Sequence, residues 1–281
     1  MPGTEFLFIL LGLSSAFSWG AGDFSGGLAS KRTSAYTVVV ISQFVSLLIL
    51  VGGVYLIGND TFSMEAAIWG AIAGICGAAG LVALYTGLAR GPMGVVAPLT
   101  AVIAAVVPVL YSIFQSGLPA TSDLFGIIAA LGAVWVISSG KGEAKVQISN
   151  LGLPVLAGLG FGLFFILIAR ASAQAVIWPL IFARSSSVLI ILLIGLLLAR
   201  IDRPALNQLP LIALAGVFDT AGNILYILAT RYGRLDLAVV LSSLYPAATV
   251  FLASIVLKER LTRRQWIGVI LVILAVVLIA I

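Results

Sequence analysis

Residues 209–231 read LPLIALAGVFDTAGNILYILATR, an apolar run with one acid, Asp219, near its middle and one base, Arg231, at its end. A hydrocarbon core of about 30 Å needs roughly 20 helical residues per crossing, so the run is read as a membrane-spanning helix. Residues 67–90 read AIWGAIAGICGAAGLVALYTGLAR, and a shift of 142 positions lays Gly74 on Gly216 and Gly80 on Gly222. The same offset places Gly91 on Gly233, Leu99 on Leu241, Leu110 on Leu252, Ser112 on Ser254, Ile113 on Ile255 and Gly126 on Gly268. Apolar stretches match by chance easily; a set of glycines at one offset does not. The chain therefore carries an internal repeat.

Composition agrees with a lipid solvent. Of 281 residues, 62% are hydrophobic and 9% charged, against about 25% charged in an ordinary soluble domain. The net charge of +5 is spread as single and paired bases between apolar stretches, the pattern that orients membrane helices and not a nucleic-acid patch. Histidine is absent and Cys76 is the one cysteine, which excludes imidazole acid–base chemistry, His-ligated metal sites and an internal disulfide. No cofactor or metal is expected. The start, Met1 to Glu5, lacks the cationic segment of a signal peptide, so the first apolar run is read as an uncleaved span.

Breaks at charged and turn-forming residues divide the chain into ten spans: 6–28, 35–57, 66–89, 92–114, 122–139, 152–171, 177–199, 209–231, 234–257 and 264–281. The predicted fold is all-α, ten transmembrane helices in two halves, 1–145 and 146–281. The first two spans of each half align less well; Gly12-Leu13 falls on Gly158-Leu159 at an offset of 146. Five is odd, so the second half enters the membrane upside down. Such a 5+5 inverted repeat is the architecture of many secondary transporters, whose halves rock about a midplane site. With a cytoplasmic N-terminus, the inside loops would hold three bases, Arg170, Arg231 and Arg234, against eleven outside. The positive-inside rule then places both termini outside the cell.

Polar residues within spans are costly and so are functional candidates. In span eight, Asp219, Asn223 and Tyr226 recur at i, i+4 and i+7, a stripe within about 60° of arc. An acid, an amide and a phenol in a row suit an ammonium group with an apolar body; a hydrogen-bond seam between helices is the alternative. Arg184 in span seven either binds a substrate carboxylate or pairs with Asp219. Span one puts Trp19 and Asp23 on one face with small residues; Asp23 suits an ion pair with Lys31 or Arg32, a proton or substrate site being the alternative. Asp219 and Asp23 are the candidates for proton coupling. Pro98, Pro108 and Pro246 are expected to kink spans four and nine. The freed carbonyls would join Thr100, Ser242, Ser243 and Tyr245 in lining a site, with Gln43 and Tyr85 as further candidates. Spans five and ten carry almost no polar side chains and are placed at the lipid-facing periphery.

The second half holds Tyr232-Gly233, Ser242-Ser243-Leu244-Tyr245-Pro246, Leu257-Lys258-Glu259-Arg260-Leu261-Thr262 and Gly268, and the first holds Trp19-Gly20. These motifs resemble those of the drug/metabolite transporter superfamily, specifically its EamA-type members. The first half departs from the pattern: Gln115 to Ala120 holds no Glu-Arg pair, and Ala104 stands where Pro246 does. The resemblance implies a secondary transporter in a prokaryotic plasma (inner) membrane. It further implies export of amino acids, aromatic or hydrophobic ones included, or of related metabolites by a monomer. No phosphate-binding Gly-Lys-Ser/Thr run is present, so ATP drive within the chain is not expected. Nor is there a cluster of carboxylates or a Gly-x-Ser-x-Gly elbow for an enzyme. A lipid-handling flippase or a scaffold subunit is the competing class.

Overall fold

The structure, a computed structural model, describes residues 2–57, 61–90, 93–138, 152–173, 175–256 and 263–279. All regular structure among them is helical. The helices are α1 (Pro2–Ala29), α2 (Ala35–Ile57), α3 (Met64–Arg90), α4 (Met93–Ser116), α5 (Thr121–Ser138), α6 (Gly152–Ala171), α7 (Ile177–Leu197), α8 (Leu209–Tyr232), α9 (Leu235–Ser242), α10 (Tyr245–Val256) and α11 (Arg263–Ile279). A short 3₁₀ turn, Leu206–Gln208, leads into α8.

Among the described residues, seven helices, α1 to α4 and α6 to α8, are long and apolar enough to cross a membrane. The first eight expected spans and the tenth each fall on one helix, although α5 and α11 are not among those seven. The ninth does not: it divides into α9 and α10 at Ser243-Leu244. Pro246 has no amide hydrogen to give the Ser242 carbonyl, and its ring suits the first turn of a helix, not the interior. The ladder tightens here, Leu244 N reaching Leu241 O at 3.3 Å and Ala247 N reaching Leu244 O at 2.9 Å. By contrast, α4 runs unbroken through Pro98 and Pro108. The Glu259-Arg260 turn lies outside the described residues.

Neighbouring ends meet in a regular alternation. At the end holding the N-terminus, Arg231 Nη2 donates to Ser172 O at 2.9 Å, Arg234 Nη2 donates to Gly117 O at 3.0 Å, and Phe62 stacks edge-on with Trp178 at 5.6 Å. At the opposite end Asp202 caps the start of α2, accepting from Ser34 N at 2.9 Å and from Thr37 Oγ1. Successive helices therefore run up and down the bundle.

The broadest interfaces join α1 to α8 and α3 to α6, with α2 against α7 between them. Glycines set these approaches. An added Cβ at Gly74 would strike the Ala183 carbonyl of α7, and one at Gly216 would strike the Ser42 carbonyl of α2. One at Gly80 would come within 2.7 Å of the Phe161 ring, and one at Gly222 within 2.6 Å of the Trp19 ring. Small residues let helices approach to backbone contact, which is how association is driven where lipid removes the hydrophobic effect. These contacts relate α1 to α6 at an offset of 142, Trp19 to Phe161. The offset of 146 read from Gly12 and Gly158 is thereby replaced: no four-residue shift is needed. Helices α5 and α11 pack on each other and present Phe125, Ile128, Trp135, Trp266 and Ile270 outward, as expected of a lipid-facing edge.

Candidate functional site

Where α1, α3, α6, α7, α8 and α10 converge, a cavity of about 50 Å³ opens, room for about three or four water molecules. Its walls hold Trp19 and Asp23, Gly77 and Leu81, Phe161, Phe164 and Phe165, Arg184, Asp219 and Asn223, and Tyr245. Six elements of low polarity are held apart around a handful of charged and hydrogen-bonding groups.

Arg184 anchors one side. Its side chain is 4% exposed, and its Nη2 lies 2.9 Å from Asp219 Oδ2, whose side chain is 18% exposed. The N–H directions of Nη2 miss that oxygen, so the two charges are paired without an aligned hydrogen bond. The other guanidinium nitrogens are well placed. Nη1 donates to Gln43 Oε1 at 2.6 Å and Nε donates to Ser46 Oγ at 3.0 Å. Ser46 in turn meets Thr220 Oγ1 at 2.5 Å, and Thr220 donates to Gly216 O at 2.8 Å. Asp219 completes the ring by accepting from Gln43 Nε2 at 2.8 Å and from Asn223 Nδ2 at 3.0 Å. Gln43 thus bridges acid and base, and its amide orientation follows: the reverse would set its NH₂ against the guanidinium.

Three buried polar atoms on the wall find no hydrogen-bond partner within the protein: Arg184 Nη2, Asn223 Oδ1 and Tyr245 Oη. The Asn223 amide is also fixed, since its Nδ2 donates both to Asp219 Oδ1 and to Asp219 O at 2.7 Å. A buried polar group left unpaired costs about 1–3 kcal/mol, and several on one wall mark a surface that water or a solute completes. Asp23 forms no ion pair among the described residues. The expected pairing with Lys31 or Arg32 is not made, because Asp23 shares a face with Trp19, one turn away, and that face lines the cavity.

Aromatic rings close the site. Trp19 lies 5.2 Å from Phe165 and 5.7 Å from Tyr226, and Phe165 lies 5.2 Å from Tyr226, the spacing of tilted aromatic clusters. Tyr226 is fully buried behind this wall and donates its hydroxyl to Phe165 O at 3.1 Å.

Of the residues singled out in the sequence, Trp19, Asp23, Arg184, Asp219, Asn223 and Tyr245 come together on the cavity wall, with Gln43 directly behind. The others stand elsewhere. Tyr85 is buried beneath Gly26 of α1. Thr100 Oγ1 donates to Pro154 O at 3.3 Å, joining α4 to α6. Ser243 is buried at the α9–α10 break, its hydroxyl without a hydrogen-bond partner. Sequence reasoning missed Phe161, Phe164, Phe165, Gly77, Ser46 and Thr220. The phenylalanines at i, i+3 and i+4 of α6 were a readable stripe, but one indistinguishable from lipid-facing apolar residues. Asp236 was missed as well: fully buried in the first turn of α9, it accepts from Arg234 Nε at 3.1 Å and from Leu237 N at 3.0 Å.

The model of the EamA-like transporter family matches residues 150–281. An uncharacterized protein of Methanocaldococcus jannaschii is 32% identical over 131 residues, which is 47% of this chain and 94% of that one. A solved crystal structure at 15% identity superposes with a TM-score of 0.76 over 96% of this chain and 95% of that one, a likeness of fold alone. With the helices, the cavity and these matches together, the chain belongs to the EamA-like transporter family and is a multi-pass membrane protein of a family that transports small molecules.

Proposed function

We propose that the chain is a secondary transporter whose two inverted five-helix halves, 1–145 and 146–281, rock about the central cavity to export small amine-bearing metabolites, amino acids among them. The observation that carries this reading is the cavity itself. It lies where helices of both halves meet, and it is bordered by an ion network and by polar atoms with no partner in the protein. A dry structural seam has no reason to leave those atoms unpaired.

The paired contacts support the inverted arrangement. Gly80 meets Phe161 and Gly222 meets Trp19; the two glycines are 142 positions apart, and so are the two rings. Gly74 meets Ala183 and Gly216 meets Ser42, so the roles of α2 and α7 are exchanged as well, with contact partners one position off that spacing. Gln43 and Arg184 then face each other across the centre.

Of the two acids, Asp23 is the better proton carrier. Asp219 already accepts from Gln43 and Asn223 and pairs with Arg184. Asp23 has no such partners among the described residues, and Asp219, Arg184 and Tyr245 are the other titratable groups lining its cavity.

The test is counterflow in proteoliposomes with a panel of labelled amines, amino acids and small metabolites, comparing wild type with Arg184→Gln and Asp219→Asn. Each substitution is expected to lower the rate at least about tenfold, the effect of roughly 1.4 kcal/mol. Unchanged rates in both variants would refute the site; no exchange of any compound by wild type would refute the transporter reading.

A further inference from the structure

Charge on the cavity wall decides what the site accepts. Two carboxylates, Asp23 and Asp219, one guanidinium, Arg184, and the Tyr245 phenol are the ionisable groups lining it. Arg184 pairs with Asp219 and donates to Gln43 and Ser46, while its Nη2 keeps an unpartnered donor on the wall. Its charge is balanced by Asp219, which leaves Asp23 as the acid on the wall without an ion-pair partner among the described residues. A carboxylate-bearing solute would lie beside two acids in a site of low polarity, where like charges repel far more than in water.

Two of the three unpartnered atoms point the same way. Asn223 Oδ1 is purely an acceptor, its orientation fixed by the two bonds of Nδ2. Tyr245 Oη is free to accept, and Asp23 offers carboxylate oxygens on the same wall. A primary ammonium has three N–H donors and no acceptor. Around it stand the rings of Trp19, Phe161, Phe164 and Phe165, whose faces attract cations and pack against a short alkyl chain.

Resting on the reading of this cavity as the transport site, we propose that the solute is a primary ammonium ion with a small apolar body, held by Asp23, Asn223 and Tyr245. A zwitterionic amino acid is the poorer ligand. Asp219 is not the counter-ion but the group that neutralises Arg184.

Three probes with one carbon skeleton separate the possibilities: isobutylamine, valine and 3-methylbutanoate, which at pH 7 carry charges of about +1, 0 and −1 by the ordinary pKa values of their groups. Binding is measured by isothermal titration calorimetry of the purified, detergent-solubilised protein. Isobutylamine is expected to bind at least about tenfold more tightly than valine, with no measurable heat from 3-methylbutanoate. Asp23→Asn is expected to weaken isobutylamine about 10- to 100-fold, the range for losing a hydrogen bond to a charged group. Asp23→Glu is expected to retain most of the affinity, and Glu65→Gln, an exposed acid at the start of α3, to leave it unchanged. Equal or tighter binding of valine or 3-methylbutanoate overturns the inference, as does an Asp23→Asn protein that binds isobutylamine normally, or no binding of any probe at millimolar concentration. Should valine or 3-methylbutanoate bind and also exchange in counterflow, the transporter reading stands while the ammonium preference falls.

Discussion

Replacing Asp219 with leucine removes the acid that balances Arg184. The guanidinium side chain is 4% exposed, so it cannot turn to water, and the helix around it is too closely packed to let it withdraw: Ala183, its neighbour, abuts Gly74. Gln43 Nε2 and Asn223 Nδ2 lose an acceptor at the same time. Breaking a buried pair by removing one partner costs about 3–5 kcal/mol, which for a chain of this size lowers the melting temperature on the order of 10 °C. Arg184→Met leaves Asp219 with two hydrogen-bond donors still in place, so its cost falls toward the lower end of that range. In the double variant the uncompensated charge is gone and only neutral hydrogen bonds remain unmade, at about 1 kcal/mol each. The double variant should therefore melt no lower than either single variant, with a coupling energy on the order of 3 kcal/mol in a double-mutant cycle. The assay is thermal unfolding in one detergent at one pH, followed by tryptophan fluorescence. Additive losses, or a single substitution that shifts the midpoint by less than about 2 °C, would refute the claim that this pair is buried and mutually dependent.

Gly216→Ala should lower stability by about 1–3 kcal/mol, because its methyl meets the rigid Ser42 carbonyl and overpacking forces the backbone apart. Gly132→Ala on α5, with nothing within 4 Å of the new methyl, should be neutral or gain up to about 1 kcal/mol from helix propensity; melting curves of the two variants check the sign. Tyr226→Phe should cost about 1 kcal/mol for the lost bond to Phe165 O and leave exchange rates within about twofold in counterflow, since the hydroxyl faces the packed interior and not the cavity. A larger loss of rate would return Tyr226 to the site.

How much of this was legible depended on the cost of each residue in lipid. Arg184 and Asp219 announce themselves because a charge inside a span needs a reason, and the reason was one of two that were named. Asn223 followed from helical spacing. Asp23 was misassigned because linear distance to Lys31 and Arg32 is a poor guide on a helix: the basic pair sits past the end of α1, while Asp23 shares its face with Trp19. The break before Pro246 exceeded the expected kink because residues on both sides of it are buried against α1, where Gly12 abuts Leu241 and Gly20 abuts Tyr245 O and Ala248, so the chain can restart a helix without exposing backbone. The phenylalanine wall was illegible for the opposite reason. An apolar side chain in an apolar span carries no penalty, and only the three-dimensional neighbourhood distinguishes a cavity wall from a lipid-facing ridge.

One consequence of the repeat reaches the site itself. Positions 142 apart meet matching partners, yet around the cavity they carry different chemistry. Asp219 corresponds to Gly77, Asn223 to Leu81, Asp23 to Phe165 and Trp19 to Phe161, and all eight residues line the cavity. At each of the first three places one half supplies the polar group and the other supplies room or an apolar wall. If the halves exchange conformations during transport, as proposed, an even distribution would give a charge at both equivalent places and double the like-charge repulsion within a cavity of about 50 Å³. On that proposal, confining each polar group to one copy would keep a single binding position at the junction while the duplicated backbone would preserve two nearly matched conformations around it. The same argument bears on Gly77. A carboxylate there would sit opposite Asp219, and its Cβ alone would come within 2.9 Å of Phe164. The glycine is as much a part of the site as the acid that answers it.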